Sequence, residues 1–522
     1  MLPLALELIE WYIDRRTRDL RRSTLTSDMR SNSRVFRVFT VGWEPYFIEE
    51  LLVPIERRTG ISFVHGLVGD ASRISHARKQ YAHANFVALS KAKTESLPSP
   101  DHEFLSSLEC VGVPTLRSMV QGDRVLKHRR PNEALAYAMS LAVRIRETLE
   151  ECEPDIVLAS FDSMHSAISL AVAKSLGIPW VAMAFPVIPD NLTGFCKGLT
   201  PNALVPIERS VDQRLREYAK AIINKVRSRE QKIVAFRAPL SIAQWARQYL
   251  LHGRNLLRRR RRAGVLGIDR FTYPSIRERL YDVIRRSLNR LRLPTGDMLS
   301  SPPKTRFVYY PFHMAPESML DTWAPFYQDQ LAFVAQLSLS IPADIAFVIK
   351  LHFSDPDNYS RRQLQRLMKL PRLHIAHPNA PGGAFIENAA LVVGIQGTSC
   401  LEAALLGKPV LIFGDSPYQH FPRTERARRP DEIYQQIRRM LELPPPSDEE
   451  IVEAYAVYMA RYMPGRINDW TRPIEEDELA RLADCFRALR AYVGTPGNRA
   501  NWYKQPPFVN GSDREPERCG LP

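Results

Sequence analysis

Residues 388–414 read NAALVVGIQGTSCLEAALLGKPVLIFG, and this stretch decides the predicted fold. Two apolar runs, LVVGI at 391–395 and PVLIF at 409–413, flank a helical pattern over 399–406. Gly407 ends that helix, as glycine commonly does. A strand, a helix and a second strand in this order predict a βαβ unit with the two strands parallel in one sheet. The strands are apolar throughout, as expected where helices cover both faces of a sheet.

The same alternation of strand and helix extends through the second half of the chain and recurs in the first half. The sequence therefore predicts an α/β protein with two Rossmann-like, doubly wound parallel-sheet domains, a helical insertion between them and C-terminal helices. The further strands are predicted at 35–41, 155–160 and 179–185 in the first half, and at 306–310, 345–351 and 373–376 in the second.

Shifts in composition divide the chain into six predicted segments. These are an N-terminal amphipathic helix and linker (1–33), a first Rossmann-like domain (34–206), a basic helical insertion (207–303), a second Rossmann-like domain (304–445), C-terminal helices (446–493) and a disordered tail rich in Pro, Gly, Asn and Arg (494–522).

Composition favours a cytoplasmic protein. Of the 522 residues, 45% are hydrophobic and 25% charged, which is typical of a globular chain. The six cysteines are scattered and form no C-x-x-C pair, which favours a reducing compartment over disulfides or a zinc site. No run approaches the ~20 apolar residues of a transmembrane helix. The N-terminus lacks the basic segment and cleavage site of a signal peptide, so an amphipathic helix is the better interpretation.

The formal net charge of +15 predicts an anionic partner. Its densest block follows a helical pattern that carries Trp245 on an apolar face, which is typical of a helix lying on an anionic membrane surface. A solvated basic helix packed on the protein itself is an equally good reading. The block lacks interleaved aromatic residues for base stacking, which argues against nucleic acid. The arginines of the block are Arg258, Arg259, Arg260, Arg261 and Arg262.

Polar residues follow nearly every predicted strand of the second half. In a doubly wound sheet, ligands bind beyond the carboxyl ends of the strands, so these loops predict a site for a polar ligand. The residues predicted to bind it are His313, Glu317, Ser318, His352, Asn379, Gln396, Gly397, Thr398, Ser399 and Glu402.

Gly397, Thr398 and Ser399 open a helix, and a helix N-terminus suits a diphosphate because it presents unpaired N–H groups and a positive dipole end. Glu402, about one turn further on, is placed to accept hydrogen bonds from ribose hydroxyls. The alternative is a capping box, with Ser399 and Glu402 satisfying the helix start and no ligand required. A metal site is not predicted, because no i, i+4 histidine pair or compact carboxylate set accompanies His313 and His352.

In the first half, Glu44, Asp162 and His165 follow predicted strands and are candidates for a general base. They would face the second domain across a cleft. The alternative is that Asp162 or Ser163 only caps the helix that starts near Met164.

YYPFHMAPES at 309–318, IKLHFSDP at 349–356 and the stretch 388–418 resemble capsule polysaccharide biosynthesis proteins. This family includes bacterial transferases that move Kdo from CMP-Kdo onto a lipid acceptor. The resemblance implies a metal-independent GT-B glycosyltransferase without a cofactor, with its nucleotide-sugar donor on the second domain and a lipid-linked or polysaccharide acceptor on the first. The basic block Arg258–Arg262 would then bring the active site to a lipid-linked acceptor, which predicts a cytoplasmic protein peripheral to the inner face of the cytoplasmic membrane.

Two other functions fit the same double-Rossmann plan. One is a sugar-nucleotide enzyme of the UDP-N-acetylglucosamine 2-epimerase type. The other is an inactive, transferase-like scaffold in a capsule assembly or export complex. The chain departs from the capsule family in its donor-facing loops at Ala315, Leu351 and Phe353, where Gln, Glu and Pro are usual. The changes at Ala315 and Leu351 favour the scaffold.

Overall fold

A computed structural model describes residues 35–68, 71–89, 97–110, 112–160, 163–186, 188–200, 202–207, 209–230, 254, 271–317, 319–427, 429–467 and 474–504. Several predicted features lie outside the described residues. They are the N-terminal segment 1–33, Asp162, Trp245, Arg258, Arg259, Arg260, Arg261, Arg262 and Ser318.

The first domain is built on a seven-stranded sheet with the strand order β13-β6-β5-β4-β1-β2-β3. Strands β1 to β5 run parallel, while β6 pairs antiparallel with β5 and β13 antiparallel with β6. The strands are β1 (Arg37–Val41), β2 (Ser62–Leu67), β3 (Phe86–Ala88), β4 (Ile156–Ala159), β5 (Trp180–Ala184) and β6 (Leu192–Cys196), with β13 (Met463–Pro464) contributed from near the C-terminus.

The second domain is a six-stranded, fully parallel sheet with the order β12-β11-β10-β7-β8-β9. All five strands predicted for this half are present, which confirms the Rossmann-like assignment. The sixth strand, Thr424–Arg426, was not predicted. The strands are β7 (Phe307–Pro311), β8 (Ala346–Lys350), β9 (Leu373–Ala376), β10 (Leu391–Gly394), β11 (Val410–Ile412) and β12 (Thr424–Arg426).

Helices cover both faces of both sheets. The first, α1, contains a π-helical turn and comprises Pro45–Phe47, Ile48–Leu52 and Val53–Thr59. The others are α2 (Ala71–Gln80), α3 (His102–Ser107), α4 (Leu116–Gly122), α5 (Pro131–Cys152), α6 (Met164–Ser175), α7 (Gln213–Arg227), α8 (Ile276–Leu291), α9 (Gln330–Ser338), α10 (Arg361–Met368), α11 (Gly382–Asn388), α12 (Thr398–Leu405), α13 (Ile433–Met440), α14 (Asp448–Ala460), α15 (Glu476–Gly494) and α16 (Pro496–Ala500).

Alternate residues of each strand enter opposite cores, as the two-residue period of a strand requires. In β4, Ile156 and Leu158 pack with α1 and α15, while Val157 and Ala159 pack with α5 and α6. Every residue of β4, β5, β10 and β11 is buried. The continuous apolar runs that predicted these strands are therefore explained by burial on both faces.

The C-terminal residues return to the first domain, where α15 packs against α1. The prediction of a disordered tail over 494–522 is wrong for its first part. Residues 496–500 form α16, Trp502 is 3% exposed, and the Tyr503 hydroxyl donates a hydrogen bond of 2.7 Å to the Ile178 carbonyl oxygen. The side chains of Trp502 and Tyr503 bury enough apolar surface to order this segment. The prediction of disorder rested on its glycines and prolines and did not weigh these two residues. The rest of the predicted tail, 505–522, lies outside the described residues.

The predicted helical insertion contains α7 and α8 in its described part. Leu215, Ile222 and Val226 of α7 are buried in a core shared with α14 and the second domain, so α7 belongs to the globular body. In the part of the chain that the structure describes, we find no helix with the length and apolar character needed to cross a membrane.

Candidate functional site

The carboxyl edge of the second sheet brings the predicted loops together around His313. Strand β7 lies between β8 and β10, so the loop that follows it lies beside the loops after both of these strands. A Cβ atom placed on Gly397 would lie 2.8 Å from Cε1 of His313, which means that the imidazole rests directly on this glycine. Gly397 also has a φ of +112°, a conformation that side chains rarely adopt. Only glycine fits here.

The N-terminus of α12 is open to a ligand. Its N-cap is Gly397, and no side chain among the described residues caps it. The capping-box alternative is wrong because the helix begins at Thr398, which places Ser399 and Glu402 inside the helix rather than at its cap and third position. The Tyr418 hydroxyl donates to the Gly397 carbonyl oxygen at 2.8 Å and fixes the turn. The first-turn amides and the positive dipole end therefore point to the sheet edge, where an anion would bind.

Gln330, at the start of α9, holds His313 in place. Its side-chain oxygen accepts from the His313 backbone N–H at 2.7 Å, and its side-chain nitrogen donates to the His313 carbonyl oxygen at 3.0 Å. The same amide contacts the Tyr310 hydroxyl at 3.3 Å and the Tyr359 hydroxyl at 3.2 Å. The His313 Nδ1 lies 3.5 Å from Glu317 Oε2. The backbone of His313 is thus fixed by a buried amide that was not among the predicted site residues.

Asp355 joins the loop after β7 to the loop after β8. Its Oδ2 accepts from the Ala315 N–H at 2.8 Å and from the Asn358 side chain at 2.8 Å. Its Oδ1 lies 3.5 Å from His352 Nδ1. His352 also contacts the Ser354 hydroxyl at 2.6 Å. The two histidines therefore sit on neighbouring loops that a buried carboxylate ties together.

Lys350, the last residue of β8, is a functional candidate that the sequence analysis missed. It is almost fully buried, and its Nζ donates to the Pro378 carbonyl oxygen at 2.7 Å. Burial lowers the pKa of its ammonium group to about 8. The signal that identifies it is a single lysine at the end of an otherwise apolar strand. Asn379, the next residue after Pro378, is exposed, and its N–H donates to His377 Nδ1 at 3.1 Å.

Glu402 lies in α12 beside the start of α11. A Cβ atom placed on Gly383 would be 3.5 Å from Glu402 Oε1. Burial raises the pKa of this carboxyl group to about 7, the Glu387 carboxylate adds to the rise, and Arg229 opposes it. Glu402 therefore gains or loses its proton near neutral pH. Gln396, which lies just before α12, is buried with its side chain next to Gly414.

Two of the residues at which the chain departs from the capsule family contact the apolar core of the second domain. Leu351 is fully buried in the apolar core of the second domain, and Ala315 packs against the same core. Leu351 is therefore a packing residue, whereas Ala315 is half-buried and lies in the loop that carries His313.

In the first domain, Ser163 caps α6, since its hydroxyl accepts from the Ser166 N–H at 3.3 Å. The capping alternative is therefore confirmed for Ser163. His165 lies in the first turn of α6, with its Nε2 3.4 Å from the Tyr137 hydroxyl. That hydroxyl is 3.3 Å from the Thr272 hydroxyl. Glu44 follows β1 and precedes α1, at the same carboxyl edge of the first sheet.

The two domains touch beside this edge. Arg124, just after α4, forms an ion pair of 3.3 Å with Asp321 of the second domain. The Gln328 side chain donates to the Gln121 carbonyl oxygen at 3.4 Å. A cavity of only about 10 Å³ remains at this contact, lined by residues of both domains that include Ser163 and Asp321. That volume holds about one water molecule.

Among the described residues, no group of three or more His, Cys, Asp or Glu side chains could hold a metal ion. Cys400 packs against Gly394, and burial raises the pKa of its thiol to about 12, which agrees with a packing role.

No protein-family model matches the chain. No curated protein sequence matches it either. Among solved structures it is similar to the β-Kdo 2,7-transferase KpsC of Thermosulfurimonas dismutans, with 11% identity over 66% of this chain and 89% of that one and a TM-score of 0.31. It is also similar to the UDP-N-acetylglucosamine 2-epimerase of Rickettsia bellii, with 15% identity over 90% and 100% and a TM-score of 0.29. A third is the glycosyltransferase of kitacinnamycin, with 15% identity over 88% and 100% and a TM-score of 0.27.

Proposed function

We propose that the chain is a glycosyltransferase in the biosynthesis of a bacterial surface polysaccharide. It moves a sugar from a nucleotide-sugar donor, CMP-Kdo-like or a UDP-sugar, to a lipid-linked or polysaccharide acceptor. The observation that carries the proposal is the open N-terminus of α12, with Gly397 against His313 at the carboxyl edge of the second sheet. A glycine that admits close backbone approach, free first-turn amides and a neighbouring imidazole suit a nucleotide phosphate.

Two groups are placed to stabilise the charge of a departing nucleotide. They are the dipole end of α12 and the imidazole N–H of His313 beside Gly397. Fixed donors of this kind stabilise the charge that develops on the phosphate as the bond to the sugar breaks. Gln330 and Asp355 fix the backbone of the loop that carries His313, so little reorganisation of this loop is required during the reaction.

Glu402 is proposed to bind the ribose. Its carboxyl group lies in the same helix as the phosphate-binding amides, one turn further on. The carboxylate form would accept hydrogen bonds from the ribose hydroxyls. Because burial raises the pKa of Glu402 to about 7, the group is partly protonated near neutral pH. Hydrogen bonds from the ribose hydroxyls stabilise the carboxylate, so ribose binding favours loss of this proton.

The acceptor would lie against the first domain. A base in the first domain takes the proton of the acceptor hydroxyl. The hydroxyl oxygen then bonds to the anomeric carbon of the donor sugar. The bond between that carbon and the phosphate oxygen breaks, and its electron pair stays on the nucleotide. Glu44 and His165 are the described candidates, each near the carboxyl end of a strand in the first sheet. Asp162, outside the described residues, stays a candidate from the sequence.

The Arg124–Asp321 ion pair joins the two domains beside the carboxyl edge of the first sheet. We further propose that the protein works in the cytoplasm at the inner face of the membrane, an idea supported by the basic block Arg258–Arg262.

A thermal-shift screen across CMP-, UDP- and GDP-sugars tests the proposal. A donor at a hundred times its Kd stabilises the folded protein by about 2.7 kcal/mol. We expect Glu402→Ala and His352→Ala to remove that stabilisation, while Glu442→Ala, a change at an exposed glutamate distant in sequence, leaves it intact. Stabilisation by no sugar nucleotide, or equal stabilisation of all variants, would contradict the proposal. Formation of the epimer from UDP-N-acetylglucosamine alone would identify the epimerase class instead.

A further inference from the structure

Helix α8 (Ile276–Leu291) exposes an apolar face. Among the described residues, five of the thirteen large hydrophobic side chains that are exposed lie on this one helix. At about 100° per residue, all five fall within an arc of about 100°, so they form a single stripe. The stripe consists of Leu280 (58% exposed), Tyr281 (70%), Ile284 (52%), Leu288 (43%) and Leu291 (79%).

The helix is attached through its polar side. Arg286 forms an ion pair of 2.6 Å with the buried Asp357, and the Asn289 side chain donates to the Asp357 carbonyl oxygen at 3.0 Å. At its first turn, Glu278 pairs with Arg129 of the first domain. A helix on a globular protein normally buries its apolar face and exposes its polar one. Here ion pairs hold the opposite orientation in place, which keeps the apolar stripe outward.

Charge around the stripe is positive. Helix α8 carries five arginines against two acidic residues, and of these arginines Arg285 is paired with Asp282 and Arg286 with Asp357. Arg277 and Arg292 are exposed at the two ends of the stripe. An apolar face bordered by arginines complements a surface that is apolar within and anionic at its headgroups.

We infer that α8 docks the protein on an anionic membrane, with the stripe Leu280–Leu291 in the interfacial region and the flanking arginines at the headgroups. The inference deepens the proposed function, on which it rests for the lipid-linked acceptor, by naming the surface that meets the membrane. A second copy of the chain is a poorer occupant. Sixteen helical residues span about 24 Å with a width of about 10 Å, or roughly 240 Å², whereas a stable interface buries about 800 Å² per partner.

Flotation of the full chain with vesicles tests the inference. We expect binding to vesicles that contain equal parts of phosphatidylglycerol and phosphatidylcholine, and little binding to phosphatidylcholine alone. The triple substitution Leu280→Ser, Ile284→Ser and Leu288→Ser should lower the partition coefficient by at least about tenfold, because three inserted apolar side chains are lost. Arg277→Gln with Arg292→Gln should lower it by about fivefold per arginine.

A matched control removes three exposed apolar side chains elsewhere. Leu339→Ser, Tyr434→Ser and Val457→Ser should leave flotation unchanged. Because the stripe is exposed, the α8 triple variant should keep the wild-type Tm. Three results would overturn the inference: unchanged flotation of the α8 variant, absence of wild-type binding, or an equal loss in the control variant.

Two outcomes identify another occupant and also overturn the inference. A dimer that the α8 variant dissociates, with flotation unchanged, assigns the stripe to a second copy. A lower Tm with unchanged flotation assigns it to another segment of the same chain. The assay requires no sugar nucleotide, so it can succeed where the donor screen fails. If the wild-type protein binds no sugar nucleotide but still floats with the vesicles, the proposed transferase function is refuted and the membrane docking is supported.

Discussion

Replacement of Glu402 by glutamine should make the protein more stable at neutral and alkaline pH. Burial raises the pKa of this carboxyl group from 4.5 to about 7. The folded state therefore binds the proton more tightly than the unfolded state, and the resulting stabilisation is complete below about pH 4.5. It is lost as the pH rises through 7, because the folded protein must then hold a buried carboxylate. Glutamine resembles the protonated form and has no proton to lose.

The size of the effect follows from the pKa difference. At 1.36 kcal/mol per unit of pKa, a rise from 4.5 to about 7 corresponds to about 3 kcal/mol. The free energy of unfolding of Glu402→Gln should thus equal that of wild type below pH 4.5 and exceed it by about 3 kcal/mol at pH 8. The variant should also bind a nucleotide sugar more weakly, since it lacks the carboxylate that accepts from ribose. Higher stability with weaker binding is the signature of a group kept for a ligand.

Guanidinium unfolding followed by tryptophan fluorescence, between pH 4.5 and 8, measures the difference. Glu442→Gln, at an exposed position, serves as the control and should follow wild type at every pH. A Glu402→Gln curve parallel to that of wild type would refute the reasoning. A variant less stable than wild type at pH 8 would refute it as well, since it would show that the carboxylate is satisfied by partners in the folded protein.

Three further substitutions test the site and the fold by chemical denaturation. Gly397→Ala should lower the free energy of unfolding by about 2 kcal/mol, because a side chain here meets a φ of +112° and the His313 ring. It should also abolish the donor-induced rise in Tm. Gly296→Ala, where the added methyl group meets no neighbour, should have neither effect. Gln330→Ala should lower the free energy of unfolding by about 3 kcal/mol, because the half-buried backbone of His313 loses two hydrogen bonds. A loss below about 1 kcal/mol would argue against a role of Gln330 in fixing this loop. Trp502→Ala should lower the free energy of unfolding by about 3–5 kcal/mol, because the side chain is buried. A variant as stable as wild type would show that the C-terminal segment does not contribute to the stability of the fold.

The fold could be predicted wherever burial on both faces left a long apolar run. Strands β4, β5, β10 and β11 were found for this reason. Strand β12 has the sequence TER and takes its place only through pairing with β11, so no local pattern marks it. Strands β3 and β13, of three and two residues, are too short to show a period. Their conformation is imposed by the neighbouring strand.

The position of the candidate site followed from the rule that ligands lie beyond strand ends, but its internal contacts did not. Gln330 lies 17 residues from His313, and Asp355 lies 40 from Ala315, and neither separation carries a local signal. Leu351 shows the converse. Successive side chains of a strand point in opposite directions, so neighbouring residues can have different surroundings. Leu351, next to His352 in the sequence, is therefore buried in the core.

Residues 355–358 connect the two proposed activities. Asp355 holds the loop that carries His313, through the Ala315 N–H. Two positions later, Asp357 holds Arg286 of α8, and the Asn358 carbonyl oxygen accepts from Arg285 at 2.9 Å. Two buried carboxylates in one short segment thus fix the donor loops to the exposed apolar helix. If α8 lies on a bilayer, the same four residues set the height and angle at which the donor site meets an acceptor in that bilayer.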